Sequence, residues 1–166
     1  ESYGIIESKL IALHDAVPKQ YFEKKLDKLK TKSELGIPLD KKVITYAGSL
    51  YPDRQIENII ELASNFPDLL FYIVGGPEKF KTYYSNISKE KKLNNIIFKG
   101  QVPYSLVIKF LFSSDVLLAL WSKKVPTIDF CSPLKLFEYL ASGNIVIAHN
   151  FITIREVITH GKTGFL

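Results

Sequence analysis

Short apolar runs alternate along the chain with segments whose apolar residues recur every three or four positions. A short continuous apolar run bounded by turn residues is typical of a buried strand, and a spacing of i, i+3, i+4, i+7 is typical of a helix. The clearest helix pattern consists of Ile56, Ile59, Ile60 and Ala63. The predicted strands cover residues 43–47, 69–74, 95–99, 116–120 and 145–148, with a last strand starting at residue 164, and helices follow around residues 56–63, 80–87, 107–111, 132–143 and 155–158.

Strands that alternate with helices, each strand apolar along its whole length, indicate a parallel sheet covered on both faces by right-handed crossovers. The predicted fold class is therefore α/β, a Rossmann-like parallel sheet with helices on both faces. The regular pattern starts near Lys42. We accordingly expect a lead-in or linker segment over residues 1–40, packed on a single domain over residues 41–166.

Ligands of such sheets bind beyond the carboxyl ends of the strands. This rule selects the loops at residues 48–54, 75–77, 100–103, 121–132 and 149–153. In the first of them we expect Asp53 to cap the following helix and Arg54 to lie in its first turn. A basic side chain at that place suits an anionic ligand, although a surface ion pair with Asp53 or Glu57 is the alternative.

Residues 132–143 read as one short helix with its start and stop signals. Ser132 is a suitable N-cap, Pro133 suits the first helical position, and Gly143 suits a left-handed stop. Lys135 lies in the first turn and Glu138 one turn later. A helix start, a hydroxyl and an ammonium could together hold a phosphate, with the carboxylate accepting hydrogen bonds from a diol. An exposed Lys/Glu pair contributing about 0.2 to 0.5 kcal/mol is the alternative.

Composition narrows the classes of function. The net charge of +5 is an excess of lysine in solvated segments without interleaved aromatic residues, which does not favour nucleic-acid binding. The single cysteine, Cys131, excludes an internal disulfide and favours a reducing compartment. The apolar runs are too short to span a bilayer and no signal peptide is visible, so we expect a soluble, cytoplasmic protein, with peripheral association at the inner face of the membrane left open.

Three motif-based alternatives fail. No predicted strand is followed by the G-x-G-x-x-G fingerprint of dinucleotide-binding enzymes. The tripeptide 161–163 (GKT) mimics the end of a phosphate-binding P-loop, but Glu156 stands where the loop needs its first glycine, so a turn is expected. The first strand also lacks the paired acids of a receiver-like signalling domain.

The chain resembles the nucleotide-sugar-binding, C-terminal half of a GT-B fold retaining glycosyltransferase of group 1, family four. The resemblance is carried by residues 10–22, by the glycine loop 48–54 (GSLYPDR), by residues 74–76 (VGG) and 98–102 (FKGQV), and most specifically by residues 132–143 (SPLKLFEYLASG). It implies a nucleotide-diphosphate sugar as donor substrate, no cofactor and no metal. It also implies an acceptor held by the protein's own N-terminal domain, so that the 166 residues alone should be inactive.

The same resemblance assigns roles to individual residues. Arg54 and Lys135 would hold the diphosphate and stabilise the leaving group, and Glu138 would bind the ribose. Val102 and its neighbours would contact the base, and the loop 149–153 would approach the sugar or phosphate. The donor-binding set implied in this way is Gly48, Ser49, Arg54, Gly75, Gly76, Gln101, Val102, Ser132, Pro133, Leu134, Lys135 and Glu138.

The sequence departs from the family pattern at three places. The first glutamate of the Glu-x7-Glu motif is Phe130 here, and the adjacent Asp129 is the candidate substitute as a catalytic carboxylate. Ser49 stands where many relatives have a basic residue, and Gln55 where they have a glycine. These departures motivate the alternative that the chain is a noncatalytic nucleotide-binding or interaction module of the same fold.

Overall fold

A computed structural model describes residues 7–9, 11, 13, 15–23 and 25–166. Leu10, Ala12 and His14, in the predicted lead-in, lie outside the described residues. The strands are β1 (Val43–Ala47), β2 (Leu70–Val74), β3 (Ile96–Gly100), β4 (Val116–Ala119) and β5 (Ile145–Ala148). The helices are α1 (Lys19–Phe22), α2 (Lys28–Glu34), α3 (Ile56–Asn65), α4 (Glu78–Glu90), α5 (Tyr104–Ser113), α6 (Leu134–Ala141) and α7 (Ile152–Arg155), with short 3-10 helices at Glu7–Lys9 and Pro52–Arg54.

The five strands form one parallel sheet in the order β3-β2-β1-β4-β5. The predicted fold class is confirmed, and the predicted strands agree with the observed ones to within one residue at each end. The strand order reverses between β1 and β4, because the chain moves outward to β3 and then returns to the other side of β1. A reversal of this kind opens a crevice at the carboxyl ends of the strands.

Each face of the sheet carries its own apolar core. Helices α3 and α4 cover one face with Ile56, Ile59, Ile60 and Tyr84, which are all buried. The opposite face packs against α5, α6 and α7 and the partly buried residues of the lead-in. Period-two alternation along β1 divides its side chains between the faces, since Val43 and Ala47 join one core and Tyr46 joins the other.

A charged cluster closes the amino-terminal edge of the sheet, opposite the crevice. Asp115 lies within 4 Å of the ammonium groups of Lys28, Lys32 and Lys42, and its Oδ2 accepts the Val43 N–H at 2.8 Å. Burial pushes the pKa of the Asp115 carboxyl upward, but the Val43 hydrogen bond and the two nearer lysine charges outweigh burial and hold the pKa below its usual range. This cluster fixes α2 against the start of β1.

Two local predictions were wrong in detail. Residues 52–54 form a tight 3-10 turn, so α3 begins only after Gln55, whose left-handed backbone (φ 56°) replaces the expected cap at Asp53. The last helix lies at Ile152–Arg155, upstream of the predicted residues 155–158. The turn at Gly161 is confirmed, and Phe165 pairs with Ile147 of β5, as the start of a strand there would require.

No helix among the described residues is long and apolar enough to cross a membrane.

Candidate functional site

A cavity of about 440 Å³ opens at the carboxyl ends of β1, β2 and β3, beside the start of α6. Most of the predicted donor-binding residues line it. They are Gly48, Ser49, Gly75, Gly76, Gln101, Val102, Lys135 and Glu138. The remaining lining comes from Ala47, Tyr51, Val74, Pro77, Tyr104 and Val107, so the cavity has one charged side and one apolar side.

Two glycines let the backbone form the floor of this cavity. Gly48 and Gly75 have φ values of 151° and 141°, which side chains rarely adopt. A Cβ on Gly75 would lie 1.8 Å from the Gly48 carbonyl oxygen, and a Cβ on Gly48 would lie 2.8 Å from Lys135 Nζ. The loops after β1 and β2 therefore approach each other, and the lysine, more closely than any larger residue would allow.

Helix α6 brings Lys135 and Glu138 to the cavity, but it begins later than predicted. Pro133 occupies the N-cap position with extended backbone and the helix starts at Leu134, so the prediction of Ser132 as N-cap was wrong. The Ser132 hydroxyl instead accepts the Asp15 N–H at 3.4 Å. The left-handed stop at Gly143 is confirmed, with φ of 73°.

A buried tyrosine fixes the position of α6 relative to the sheet. Strand β4 pairs with β1 only at Ile44 and Thr45. Beyond that point the Tyr139 hydroxyl accepts the Ala47 N–H at 2.7 Å and lies 3.0 Å from the Ala47 carbonyl oxygen, to which it donates. The side chain thus takes the place of a neighbouring strand where the crevice opens, and Lys135, one turn earlier on the helix, is set above Gly48.

The ammonium of Lys135 is desolvated and lies against aromatic rings. Its Nζ donates to the Tyr46 hydroxyl at 3.2 Å, and no carboxylate among the described residues lies within 4 Å of it. Burial, reinforced by the positive charge of Arg54, lowers the pKa of Lys135 to about 7, although the charges of Glu138 and Asp53 act in the other direction. The alternative considered from the sequence, an exposed Lys135–Glu138 ion pair, is not formed.

Glu138 is held by a residue that sequence reasoning missed. The Tyr104 hydroxyl donates to Glu138 Oε1 at 2.6 Å, and burial followed by this hydrogen bond raises the pKa of Tyr104. One carboxylate oxygen of Glu138 is thereby fixed at the cavity wall. A buried aromatic residue with a polar tip normally needs a partner, and this was the available signal for Tyr46, Tyr104 and Tyr139.

Arg54 lies behind the cavity wall rather than in its lining. Its Nε donates to the Ser49 hydroxyl at 3.1 Å and its Nη1 lies 3.5 Å from Asp53 Oδ2. Nη1 and Asp53 Oδ1 are both buried and make no hydrogen bond within the described part of the chain. The guanidinium therefore approaches Lys135 closely enough to lower its pKa, while Ser49 lies between Arg54 and the cavity.

The other predicted residues lie apart. Asp129, Ser132 and Pro133 line a separate cavity of about 380 Å³, together with Phe130, Cys131 and Thr153. Leu134 and Phe130 are exposed. His149, in the loop expected near the sugar, accepts the Trp121 N–H through Nδ1 at 3.1 Å. No group of three or more metal-ligating side chains occurs in the described ranges.

Ligands of open parallel sheets bind at the carboxyl ends of the strands, and a cation, a carboxylate and close-packed glycines meet at that edge here. A profile of the family described as "Glycosyl transferases group 1" matches residues 27–166. The chain belongs to this family of glycosyltransferases.

Individual relatives are similar over part of their length. The chain is 31% identical over 119 residues to the putative colanic acid biosynthesis glycosyl transferase WcaI of Escherichia coli K12, covering 70% of this chain and 28% of WcaI. Among solved structures, a glycosyltransferase from Rickettsia africae aligns at a TM-score of 0.75 and 23% identity, and the alignment covers 99% of this chain and 44% of the Rickettsia chain. Anabaena HepE in complex with UDP-glucose aligns at a TM-score of 0.68 and 17% identity, and the alignment covers 91% of this chain and 39% of the HepE chain. The chain thus spans less than half the length of these relatives.

Proposed function

We propose that the 440 Å³ cavity binds the nucleotide part of a nucleotide-diphosphate sugar, and that the protein transfers the sugar to an acceptor with retention of configuration. The observation that carries the proposal is the Lys135 ammonium, which lines the cavity with no carboxylate among the described residues within 4 Å. An unpaired, desolvated cation is costly and is stabilised when an anion binds. The structure of HepE with UDP-glucose, in a protein of the same fold, supports the choice of ligand.

Each wall of the cavity suits one part of such a ligand. Lys135 and the backbone at Gly48 would face the diphosphate. The guanidinium of Arg54, which lies behind Ser49, would add a second positive charge without direct contact. Glu138, with one oxygen held by Tyr104, would accept a hydrogen bond from a ribose hydroxyl. The apolar side, which includes Val102, would receive the base.

During transfer the bond between the anomeric carbon and the phosphate oxygen breaks, and the nucleoside diphosphate leaves with the electron pair. Positive groups fixed near the departing oxygen stabilise that charge in the transition state. Lys135 and Arg54 would supply this stabilisation, and no metal is required by the proposal. The acceptor would be held by a domain outside these 166 residues, as expected for a chain that spans less than half of its relatives.

Calorimetry with UDP and GDP at pH 6.5 tests the site. We expect Lys135→Met to weaken binding by about 10- to 100-fold, because a hydrogen bond to a charged group contributes about 1.5 to 3 kcal/mol. Glu138→Gln should weaken binding less, and the exposed substitutions Lys162→Met and Glu61→Gln serve as matched controls. If no nucleoside diphosphate binds the folded protein, or if Lys135→Met binds as tightly as Lys162→Met, the site is assigned incorrectly.

A noncatalytic nucleotide-binding module is the second candidate. It is favoured by the position of Asp129, which lines a different cavity from Lys135 and Glu138, and by the exposed Phe130 at the place of the family glutamate. The full-length protein, incubated with a panel of UDP- and GDP-sugars, separates the two functions. Transfer or donor hydrolysis supports the enzyme, whereas binding of the same nucleotides without turnover supports the module.

A further inference from the structure

Two aromatic rings, rather than an acidic side chain, hold the ammonium of Lys135. Its Nζ lies 4.4 Å from the centroid of the Tyr46 ring and 4.9 Å from that of the Trp121 ring. Both ring-bearing residues are buried, and Gly48 leaves the space that Nζ fills on a third side. These distances lie well inside the range of about 6 Å over which a ring face attracts a cation.

The hydroxyl of Tyr46 adds a directed contact. It donates to the Ser49 carbonyl oxygen at 2.7 Å, and burial raises the pKa of Tyr46 so that the proton stays in place. Its lone pair is therefore the acceptor for one Lys135 N–H. An ammonium has three N–H groups, so two are left for a ligand in the cavity.

The charged groups around the ammonium come from several elements. Arg54, in the 3-10 turn, lowers the pKa of Lys135, whereas Glu138 on the same helix and Asp53 beside Arg54 raise it. His149 faces Trp121 from the loop after β5 and accepts its backbone N–H. Because no carboxylate among these groups forms an ion pair with Lys135, the cation meets no internal anion that a ligand would have to displace.

We propose that Tyr46 and Trp121 are positioning residues that form an aromatic cage around the Lys135 ammonium and direct it to the diphosphate of the donor. The inference rests on the proposed function, because it takes the diphosphate as the ligand of Lys135. A ring face stabilises a cation through its quadrupole and leaves the N–H groups free to bind phosphate oxygens, which a carboxylate would occupy. The cage replaces the internal counter-ion that a partly buried, desolvated ammonium otherwise needs.

The pH dependence of donor binding reports on this cage. UDP-glucose and GDP-mannose are suitable probes, since their phosphates keep the same charge between pH 6 and 8.5. The pKa of Lys135 in the protein without nucleotide is about 7, so binding should weaken roughly tenfold between pH 6 and 8 as the ammonium loses its proton. Lys135→Arg keeps its charge throughout and should remove this dependence.

Substitutions of the rings test their role. Trp121→Leu should lower the midpoint of the pH profile by about half a unit or more, and it should therefore weaken binding at pH 8 by about 3- to 30-fold. Trp121→Phe retains a ring face and should keep the midpoint near that of the parent. Tyr46→Phe retains the ring but loses the hydroxyl contact, and its effect on affinity should be smaller than that of Trp121→Leu. Thermal unfolding of each variant confirms that it is folded.

A second measurement does not depend on the nucleotide. Reductive ¹³C-methylation of the lysines, followed by NMR titration, gives the pKa of Lys135 in the free protein. Equal Lys135 midpoints for Trp121→Leu and Trp121→Phe would overturn the cage, because only the leucine variant removes a ring face. If the Lys135 midpoint falls in Trp121→Leu but neither probe binds, the cage stands and the assignment of its ligand as a sugar nucleotide falls.

Discussion

Removing the hydroxyl of Tyr139 tests how the crevice is built. Tyr139→Phe keeps the buried ring and its packing against the core. It deletes the one group that accepts the Ala47 N–H and donates to the Ala47 carbonyl oxygen. Because β4 pairs with β1 only at Ile44 and Thr45, no strand can take over the two released backbone groups.

The expected cost follows from these two hydrogen bonds. Each contributes about 0.5 to 1.5 kcal/mol net, and a buried backbone group left without a partner costs about 1 to 3 kcal/mol. Water admitted from the crevice should recover part of the loss, so we expect the free energy of unfolding to fall by about 2 to 4 kcal/mol. For a domain of this size that corresponds to a decrease in Tm of roughly 5 to 12 °C.

Urea and thermal unfolding, monitored by circular dichroism, measure the change. Tyr83→Phe removes the same atom from an exposed ring of α4 and should change stability by less than about 0.5 kcal/mol. Nucleotide affinity should fall together with stability in Tyr139→Phe, since Lys135 is carried by the same helix. A loss of less than 1 kcal/mol relative to Tyr83→Phe would refute the view that the hydroxyl substitutes for a strand.

Two further predictions concern regions away from the cavity. Asp115→Asn should cost about 2 kcal/mol at pH 7, because Lys32 is buried beside it. The pKa of Asp115 is lower in the folded than in the unfolded protein, so the carboxylate contributes to the free energy of unfolding above the unfolded pKa near 4, and this contribution is lost as pH falls through the folded pKa. The cost of Asp115→Asn measured by urea unfolding should therefore shrink in acid. A constant cost from pH 7 to pH 3 would contradict an electrostatic cause. Lys92 follows α4, is exposed and has a left-handed backbone with φ of 56°. Lys92→Gly should relieve this strain and raise the free energy of unfolding by about 1 kcal/mol, as measured by thermal unfolding. An equal gain from Lys92→Ala would show that relief of backbone strain is not the reason.

The strand and helix pattern was predictable because burial imposes a period on the sequence. All four apolar positions predicted for α3 are buried, and the strands agree to within one residue at each end. The first residues of the helices were less predictable. Ser132 and Asp53 are residue types that commonly cap helices, but the adjacent prolines change the backbone conformation at both places. At Pro52 the chain forms a 3-10 turn, and at Pro133 the proline itself occupies the cap position.

The cavity lining was predictable for a different reason. Parallel strands bring their carboxyl ends to one edge, so glycines that follow β1 and β2 meet whatever their sequence separation. The depth of Arg54 behind Ser49 and the distance of Asp129 from Lys135 depend on loop conformations that no periodicity encodes. The aromatic cage combines residues from β1, from the loop after β4 and from α6, so it becomes visible only in three dimensions.

The bond between Tyr139 and Ala47 also has a consequence for motion. A helix tied to a strand through both backbone groups of one residue should move with the sheet as a rigid body. Lys135 and Gly48 would then keep their separation when ligands of different size enter. The loops that carry Ser49 and Asp129 would instead move to fit the ligand, while Lys135 and Gly48 between them stay in place.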